Sequence, residues 1–408
     1  MIKIFGKKML ITIFLVILFR VGSVFPVPFI DTSVLKLSMK NVGETIFGLF
    51  NMMSGGGLSQ ASILAMGVSP YINASIIVQL LTVAIPFLEN IKKEGISGVK
   101  KLNRMTRYLS IVLSILQAVG FYAALSSWGA LSGDGVLVTV VIVLSFTVGS
   151  AFVMWLGERL TESGVGNGIS ILLVAGILSG LPSGVISLSV IKPVYLAFII
   201  AVIVFISIVF VVFMNESEQR IPVRYSRAIG RYQNGSESYL PLKVNMSGVM
   251  PVIFASTILS IPQTLVMFVP SFLETDIGSK ILSVFSSNNI VYGIIYFVLI
   301  ILFNYFYVSI QYDPVQMSNT LKQNGGMISG VRPGSQTSKF IAKSINRITF
   351  IDALFLAVIA VVPIILNTAF GGFSFYLGGT SLLIVVGVFI ETVRQIQTMT
   401  NKGKKLIR

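Results

Sequence analysis

The strongest constraint on this sequence is a succession of about ten apolar stretches, each close to the ~20 residues that an α-helix needs to cross a bilayer. The first follows the basic start of the chain, and the others cover residues 66–88, 107–126, 136–156, 167–181, 193–214, 247–269, 290–311, 347–366 and 374–393. Only 11% of the residues are charged and the mean hydropathy is +0.89, which excludes a soluble globule of ordinary composition. We therefore expect an all-α polytopic membrane protein.

The first stretch has the basic start and the apolar run of a signal peptide. It continues through Arg20 to Pro28, however, without the small-residue pattern of a cleavage site. We therefore expect it to be retained as the first membrane span.

Basic residues are distributed unevenly among the predicted loops. Placing the amino terminus in the cytoplasm puts 25 of the 30 lysines and arginines on the cytoplasmic side. Positive residues concentrate in the cytoplasmic loops of membrane proteins, so this orientation is favoured and both termini are expected inside. Most of the net charge of +15 is then a topology signal rather than a nucleic-acid-binding surface.

Ten spans divide near residue 187 into two groups of five. Because five is odd, the second group enters the membrane in the opposite sense to the first, which is inverted-repeat topology. We expect an N-terminal half of residues 1–187 and a C-terminal half of residues 188–408, with a central pore between them. A simple helix bundle with no such relation also fits the span count.

Residues 51–81 combine a glycine-rich segment with a helix-length apolar run that carries Asn73, Ser75 and Gln79. Irregular backbone and amide side chains at membrane depth persist only where protein or water satisfies their hydrogen bonds. The pattern predicts a broken helix beside a cavity on a pathway through the membrane.

Reactive groups are scarce in this chain. It contains no cysteine and no histidine, which excludes disulfides, thiolate chemistry and most zinc sites. Apart from Arg107 and Arg347, which begin two of the spans, the charged residues within the predicted spans are Arg20, Asp352 and Glu391, so no acidic series crosses the bilayer to relay protons. The sequence has no Walker motif, and Gly164–Gly168 lacks the strand and the final glycine of a dinucleotide loop. We expect no enzymatic activity, no metal and no cofactor.

Two predicted cytoplasmic loops, residues 215–245 and 312–347, are long for a compact bundle and carry spaced basic residues. Two interpretations stay open for these charges. They could fix topology over anionic lipid, or they could dock a soluble partner, including ribosomal RNA, by pairing with phosphate or carboxylate groups. The arginines concerned are Arg220, Arg224, Arg227 and Arg231 in the first loop and Arg332 in the second.

Five segments resemble a known family, in that family's order and across nearly the whole chain. They are GVSPYINASIIVQLL (67–81), GERLTESGVGNGISILL (157–173), LPLKVNMSGVMPVIFAS (240–256), NGGMISGVRPG (324–334) and GGTSLLIVVGV (378–388). These segments closely resemble the SecY family, the central subunits of bacterial protein-conducting channels. The resemblance implies a channel in the cytoplasmic membrane that translocates unfolded secretory polypeptides and releases transmembrane segments into the bilayer. The implied partners are the SecE and SecG membrane subunits, the SecA ATPase, the ribosome through its RNA, signal peptides, nascent chains and the lipid bilayer.

The resemblance also implies site residues, carried over motif by motif. The pore ring would comprise Val68, Ile72, Ile169, Leu173, Ile253 and Ile384, all of which are aliphatic. The plug would lie around residues 54–64 and include Ser54, Gly55, Gly56, Gly57, Leu58, Ala61 and Leu64. The lateral gate would include Asn73, Ile76, Gln79, Thr257 and Ile261. Docking of the motor and the ribosome would use Arg220, Arg224, Arg227, Arg231 and Arg332.

The mechanism implied by the resemblance is passive conduction with energy supplied by a partner. A signal sequence opens the gate, the plug leaves the ring, and an extended chain passes a narrow aliphatic collar that would otherwise dewet and block hydrated ions. Three alternatives stay open: an accessory copy for a restricted set of exported proteins, a small-solute secondary transporter with inverted repeats, and a passive membrane scaffold.

Overall fold

Long apolar helices form most of the computed structural model, which describes residues 2–42, 51, 54–133, 135–180, 182, 194–225, 238–268, 284–285, 289–370 and 379–405. The helices are α1 (Ile2–Gly22), α2 (Thr32–Val42), α3 (Ser69–Ala84), α4 (Pro86–Lys93), α5 (Ile96–Ser127), α6 (Val136–Ser163), α7 (Gly168–Ser179), α8 (Val194–Glu216), α9 (Met250–Phe268), α10 (Ile290–Gln311), α11 (Pro314–Gln323), α12 (Ser335–Phe370) and α13 (Gly379–Lys405). The strands are β1 (Glu218–Tyr225), β2 (Ser238–Lys243) and β3 (Gly326–Ile328).

Several of these helices are suited to a bilayer. Within the described ranges, five helical segments are long and apolar enough to cross a membrane, and α3 with α4 makes a sixth if the two are counted together. Shorter apolar helices cover Gly168–Ser179, Ala201–Glu216 and Met250–Pro262. Each stretch that hydropathy marked contains a helix, so the chain is a helical protein with several membrane spans, while the total of ten stays a prediction.

The second predicted span, residues 66–88, ends earlier than expected because the helix breaks at Pro86. Proline lacks a backbone N–H and its ring disfavours a helical conformation in the preceding residue. Ile85 accordingly has an extended backbone, with φ −110° and ψ 111°, and α4 is bent by 101° from α3. The prediction of a continuous span to residue 88 was therefore wrong at its end, because the chain turns at Pro86 into the separate short helix α4.

The spanning helices pack in two groups that follow the order of the chain. In the first group, α3 packs on α5, and α6 packs on α1, α5 and α7. In the second group, α10 packs on α9 and α12, and α13 packs on α8 and α12. The two groups meet where α5 packs on α9 and where α7 packs on α13. One buried apolar cluster draws side chains from both groups.

The described parts of the two long loops contain three short strands, which the expectation of an all-α chain did not include, although most of the chain is helical. Strand β1 from the first loop lies between β2 and β3 in an antiparallel sheet, and β3 comes from the second loop. Ile221 and Val223 of β1 point to the buried side, with Ile341 and Ile345 of α12 in the same apolar cluster. Burial of alternate residues explains why this segment is a strand. Pairing of β1 with β3 joins the two loops.

Candidate pore site

A cavity of about 1010 Å³ lies among helices of both groups. Part of its wall is aliphatic and is formed by Ile72 on α3, Ile169 and Leu173 on α7, and Ile253 on α9. The remaining wall is polar and includes Tyr71, Ser75, Gln79, Arg107, Glu158, Lys243, Asn245, Glu391 and Arg394. The cavity therefore joins an apolar surface to a charged mouth, beside the segment where the sequence predicted a broken helix.

The structure brings the six predicted ring residues into one apolar region. Four of them line the cavity, and Val68 and Ile384 belong to the same buried cluster as Ile72, Leu173 and Ile253. The remaining member, Ile169, is half-buried and packs against that cluster. Helices from both groups thus contribute aliphatic side chains to a single apolar region.

The predicted plug, residues 54–64, is a compact series of turns rather than a helix. The Ser54 hydroxyl donates to the Asn51 carbonyl at 3.1 Å and accepts from the Leu58 N–H at 3.2 Å. Gly55 and Gly56 have φ of +70° and +84°, which glycine adopts without the steric cost of a Cβ. The glycine-rich sequence is therefore required by the turn itself.

Leu58, Ala61 and Leu64 attach the plug to the surrounding helices. Leu58 and Ala61 are buried in a cluster with residues of α2, α5 and α6, whereas Leu64 belongs to the cluster of the ring residues. The plug backbone also pairs with the chain after α1, since the Val27 N–H donates to the Ala61 carbonyl at 2.8 Å. The plug thus contacts the ring on one side and the outer helices on the other.

Arg20 and Gly149 lie close against the predicted plug, and sequence reasoning assigned neither of them to it. The Arg20 guanidinium donates from Nη1 to the Gly55 carbonyl at 2.8 Å. On α6, a Cβ added to Gly149 would lie 1.8 Å from the Ile63 carbonyl oxygen, so only glycine fits there. The signal for Arg20 was its position as a lone charge in an apolar span, which indicates a specific partner.

The predicted gate residues differ in burial. Ile76 is buried with the ring residues, Asn73 and Thr257 are half-buried, and Ile261 is 49% exposed. Gln79 lines the cavity and donates to the Ser75 hydroxyl, one turn earlier on α3, at 3.2 Å. Helix α9, which carries Thr257 and Ile261, packs on α5.

Three of the five predicted docking arginines, Arg220, Arg224 and Arg332, are described, and they lie exposed on the sheet and its adjoining turn. Arg224 of β1 is in register with Met327 of β3, and Arg332 follows β3 in a turn. Arg220 is ion-paired with Glu218 at 2.7 Å and lies over the Tyr239 ring, and this hydrogen bond raises the pKa of the guanidinium. The remaining two, Arg227 and Arg231, lie outside the described residues.

Charged residues at the cavity mouth interact across elements. Arg394 of α13 donates to the Asn215 carbonyl at 2.9 Å and pairs with Glu216 at 3.1 Å, both at the end of α8. Lys243 at the end of β2 is partly buried, and this burial lowers the pKa of its ammonium group, with a further decrease from the nearby Arg394 charge. The mouth is therefore a fixed arrangement of opposite charges.

A buried polar network reaches the cavity at Ser247, and sequence reasoning assigned it no role. The Ser247 hydroxyl and the Asn304 amide both donate to Asp352 Oδ2, at 2.9 Å and 3.1 Å. Asn304 Oδ1 and Asp352 Oδ1 have no hydrogen-bond partner among the described residues. The network ties the segment before α9 to α10 and α12. No group of three or more histidine, cysteine or acidic residues in the described ranges is arranged to hold a metal.

Comparisons with known proteins show which family this chain resembles. The family model described as SecY matches residues 62–393. The protein translocase subunit SecY of Haemophilus influenzae is 41% identical over 402 residues, with 96% of this chain and 91% of that protein covered. The Escherichia coli K12 protein of the same description is 40% identical over 404 residues, with the same two shares covered.

Solved structures share the fold. One described as a protein-conducting channel superposes with a TM-score of 0.68 at 20% identity and covers 97% of this chain and 92% of that chain. Sec61 in a canine ribosome-channel complex superposes with a TM-score of 0.65 at 19% identity and the same coverage.

Proposed function

Because this chain belongs to the SecY family, we propose that its described cavity is the pore of the channel and that the surrounding residues control it. The protein is a protein-conducting channel and a multi-pass membrane protein. In our proposal the ten spans form two inverted halves, residues 1–187 and 188–408, that enclose this pore. The packing of α5 on α9 and of α7 on α13 supports this layout, because these pairs join early helices to late ones.

The observation that carries the pore assignment is the position of the aliphatic residues. Ile72, Ile169, Leu173 and Ile253 line the cavity from three helices, and Val68 and Ile384 extend the same apolar region. An aliphatic constriction loses its water and therefore blocks hydrated ions, yet its side chains yield to an extended polypeptide. These six residues form the ring in our proposal.

The plug, Ser54–Leu64, closes the ring when no substrate is present. Leu64 shares a buried cluster with the ring residues, and the Arg20–Gly55 hydrogen bond holds the other end of the plug to α1. Displacement of the plug opens the pore. The described residues contain no group that would drive this step chemically, so a partner supplies the energy.

The lateral gate in our proposal separates α3, with Asn73, Ile76 and Gln79, from α9, with Thr257 and Ile261. A signal peptide or transmembrane segment parts these helices. An apolar segment then leaves the pore for lipid, because its transfer is favourable by about 0.3 to 0.6 kcal/mol per apolar residue near the helix centre. A polar segment of the nascent chain stays in the pore and crosses the membrane.

The partners follow from the exposed sheet and from the relatives. We assign docking of the SecA ATPase and of ribosomal RNA to Arg220, Arg224, Arg227, Arg231 and Arg332. SecE and SecG are the expected membrane subunits, the membrane is the cytoplasmic membrane, and both termini face the cytoplasm. Arg224 and Arg332 are exposed on two loops that the β1–β3 pairing connects, which supports the docking assignment, and one structural relative is a ribosome-channel complex.

The relatives do not favour an accessory copy or a solute transporter.

The test of the pore is site-specific crosslinking to a stalled secretory chain. A photoreactive residue at Ile72 should crosslink to the translocating segment, whereas one at Ile206, an exposed isoleucine of α8, should not. Equal crosslinking from the two positions would contradict the pore assignment.

A further inference from the structure

The turn of residues 244–249 sets the point at which α9 begins. The helix starts at Met250, and Ile253, a proposed ring residue, follows three residues later, which is a rise of about 4.5 Å along the helix. A displacement of the turn therefore moves this part of the ring as well. We propose that Asp352, through its hydrogen bond to Ser247 of the turn, is a positioning residue of the pore that holds Ile253 in the ring. This role rests on the proposed function of the ring.

The turn does not fix its own position. Gly248 has a φ of +63°, in the left-handed region that glycine adopts most readily, and a Cβ built on it would meet no other atom within 4 Å. Met246, Ser247 and Gly248 all line the cavity, so one side of the turn has no protein packed against it. The position of the turn therefore depends on the side chains that anchor its other side.

Two anchors attach the turn to α8 and to the sheet. The Asn245 amide donates to Asn215 Oδ1, at the end of α8, at 3.0 Å, and Asn245 Oδ1 accepts from the Gly248 N–H at 2.8 Å. Met246 is buried in the apolar cluster that contains the inward residues of β1. Apolar contacts are not directional, so Met246 holds the turn near the sheet without fixing its register against α10 and α12.

Ser247 supplies a directional contact from the turn to α10 and α12. Its hydroxyl donates to Asp352 Oδ2 at 2.9 Å, and the Asn304 amide of α10 donates to the same oxygen at 3.1 Å. Asp352 and Asn304 are both fully buried, and their helices pack on each other. The carboxylate oxygen is therefore a fixed point on a packed helix pair, and the direction of the hydrogen bond places Ser247 relative to it.

Stability alone does not account for a carboxylate at this place. No described lysine or arginine forms an ion pair with Asp352, and well-packed apolar side chains often stabilise a buried position as well or better. A charged residue within a spanning helix indicates a function, and its partner indicates which one. The partner here is the turn that leads into α9. Asp352 is buried behind the lining of the described cavity, so its effect on the pore passes through Ser247.

The first turn of α9 joins the anchored turn to the ring. The Ile253 N–H donates to the Val249 carbonyl at 3.2 Å, and the Ile253 side chain lines the cavity. Packing of α9 on α10 uses apolar side chains such as Phe254, which fix the depth of the helix less strictly than a hydrogen bond does. Loss of the Ser247 hydrogen bond therefore lets α9 shift along its axis and moves Ile253 out of the ring.

The experiment measures the resting ion conductance of the full-length chain, purified with whatever membrane subunits accompany it and reconstituted in planar bilayers. Ser247→Ala removes the donor and Asp352→Ala removes the acceptor. Each should raise the conductance roughly threefold or more, which corresponds to the net contribution of one hydrogen bond. Asp352→Asn should stay near the parent value, because its amide oxygen still accepts and its NH₂ group can donate to Asn304 Oδ1, which has no partner among the described residues.

The chain contains no cysteine, so a single introduced thiol reports on the ring directly. In an Ile253→Cys background, a water-soluble maleimide should modify the thiol roughly threefold faster when Ser247→Ala is added. The control is Ile341→Ala, which removes a fully buried side chain from the helix that carries Asp352 and lowers stability while leaving the hydrogen bonds of the turn in place. This control should change neither the conductance nor the modification rate.

Parent-like conductance in both alanine variants, while Ile253→Asn leaks, would overturn the positioning role and leave the ring assignment standing. An equal rise in Ile341→Ala and Ser247→Ala would attribute the effect to lost stability and also overturn it. If Ile253→Asn does not leak, the ring assignment fails and the positioning role fails with it. A size-exclusion profile like that of the parent chain verifies that each variant is folded. Ser247→Ala, which changes one small side chain, gives the result if Asp352→Ala does not fold.

Discussion

Arg20 of α1 and Gly55 of the plug are joined by a hydrogen bond of 2.8 Å from the guanidinium Nη1 to the backbone carbonyl. Gly55 has a φ of +70°, so the turn presents its carbonyl in a conformation that other residues rarely adopt. A Cβ on Gly55 would also lie 2.6 Å from the Arg20 guanidinium and 3.3 Å from Gly176 of α7. The segment proposed as the plug is therefore joined to α1 by a charge-assisted hydrogen bond, at a position that has no room for a larger residue than glycine.

Removing this bond should loosen the plug. In Arg20→Met the side chain keeps its approximate length but cannot donate, and a charge-assisted hydrogen bond is worth about 1.5–3 kcal/mol. We expect the ion conductance of the resting channel in planar bilayers to rise roughly tenfold and defective signal peptides to be accepted. Arg20→Lys should lie between the parent chain and Arg20→Met.

The control for Arg20 is Lys36→Met, which removes an exposed cation of α2. Resting conductance should not change in this control. If Arg20→Met conducts no more than Lys36→Met and keeps normal signal stringency, the bond does not hold the plug.

Gly149→Ala should destabilise the packing between α6 and the plug. Its new Cβ would lie 1.8 Å from the Ile63 carbonyl oxygen, so either α6 or the plug must move. Overpacking of this kind costs about 1–3 kcal/mol, measured as a lower midpoint of thermal unfolding in detergent. Gly293→Ala on α10 is the matched control, because its nearest neighbour would be 3.6 Å away. Equal midpoints of thermal unfolding for the two variants would contradict this prediction and show that the backbone around Ile63 moves aside at little cost.

Asp352→Ala should destabilise the second group of helices. Ser247 and Asn304 would both lose the carboxylate oxygen that accepts their hydrogen bonds, and each buried donor left unpaired costs about 1–3 kcal/mol. Thermal unfolding in detergent measures this loss. Asp352→Asn keeps an acceptor oxygen in the same place and should lose less. A midpoint that is unchanged in Asp352→Ala would mean that water replaces the carboxylate.

Arg332→Glu should reduce motor-driven export roughly thirtyfold or more, because losing an arginine that anchors an interface as a hot spot costs about 2 kcal/mol or more. Export of a secretory substrate into inverted membrane vesicles, at equal channel protein level, measures the effect. Arg220→Gln should have a smaller effect, because Glu218 already neutralises that guanidinium. Normal export with Arg332→Glu would favour the scaffold interpretation.

Hydropathy located the helices because each span needs a long apolar run, and this property is local in sequence. The strands were missed for the opposite reason. Pro222 has no backbone N–H to donate, which argues against a central strand at β1, and β3 has only three residues, so neither segment is marked clearly as a strand by its local sequence. Pairing across more than 90 residues of chain cannot be read from periodicity.

The site was predicted unevenly for the same physical reason. The ring residues were predicted from sequence motifs, and the structure places them together, since their aliphatic character and their helices determine their positions. Contacts between distant segments, such as Arg20 with Gly55 and Asp352 with Asn304, depend on tertiary packing. Each was marked in the sequence only as a charge within an apolar span, which indicates that a partner exists but does not identify it.

The ring itself gives the most direct prediction. Asparagine or glycine at Ile72, Ile253 or Ile384 should admit water to a constriction that is otherwise dry, and ion leak should rise severalfold as signal stringency falls. Resting conductance in planar bilayers and export of a substrate with a defective signal measure the two effects. Asparagine at Ile294, exposed by 59% on α10, is the control for an amide on a spanning helix outside the pore. If all three ring variants keep the leak and stringency of the parent chain while remaining folded, these residues do not form the constriction.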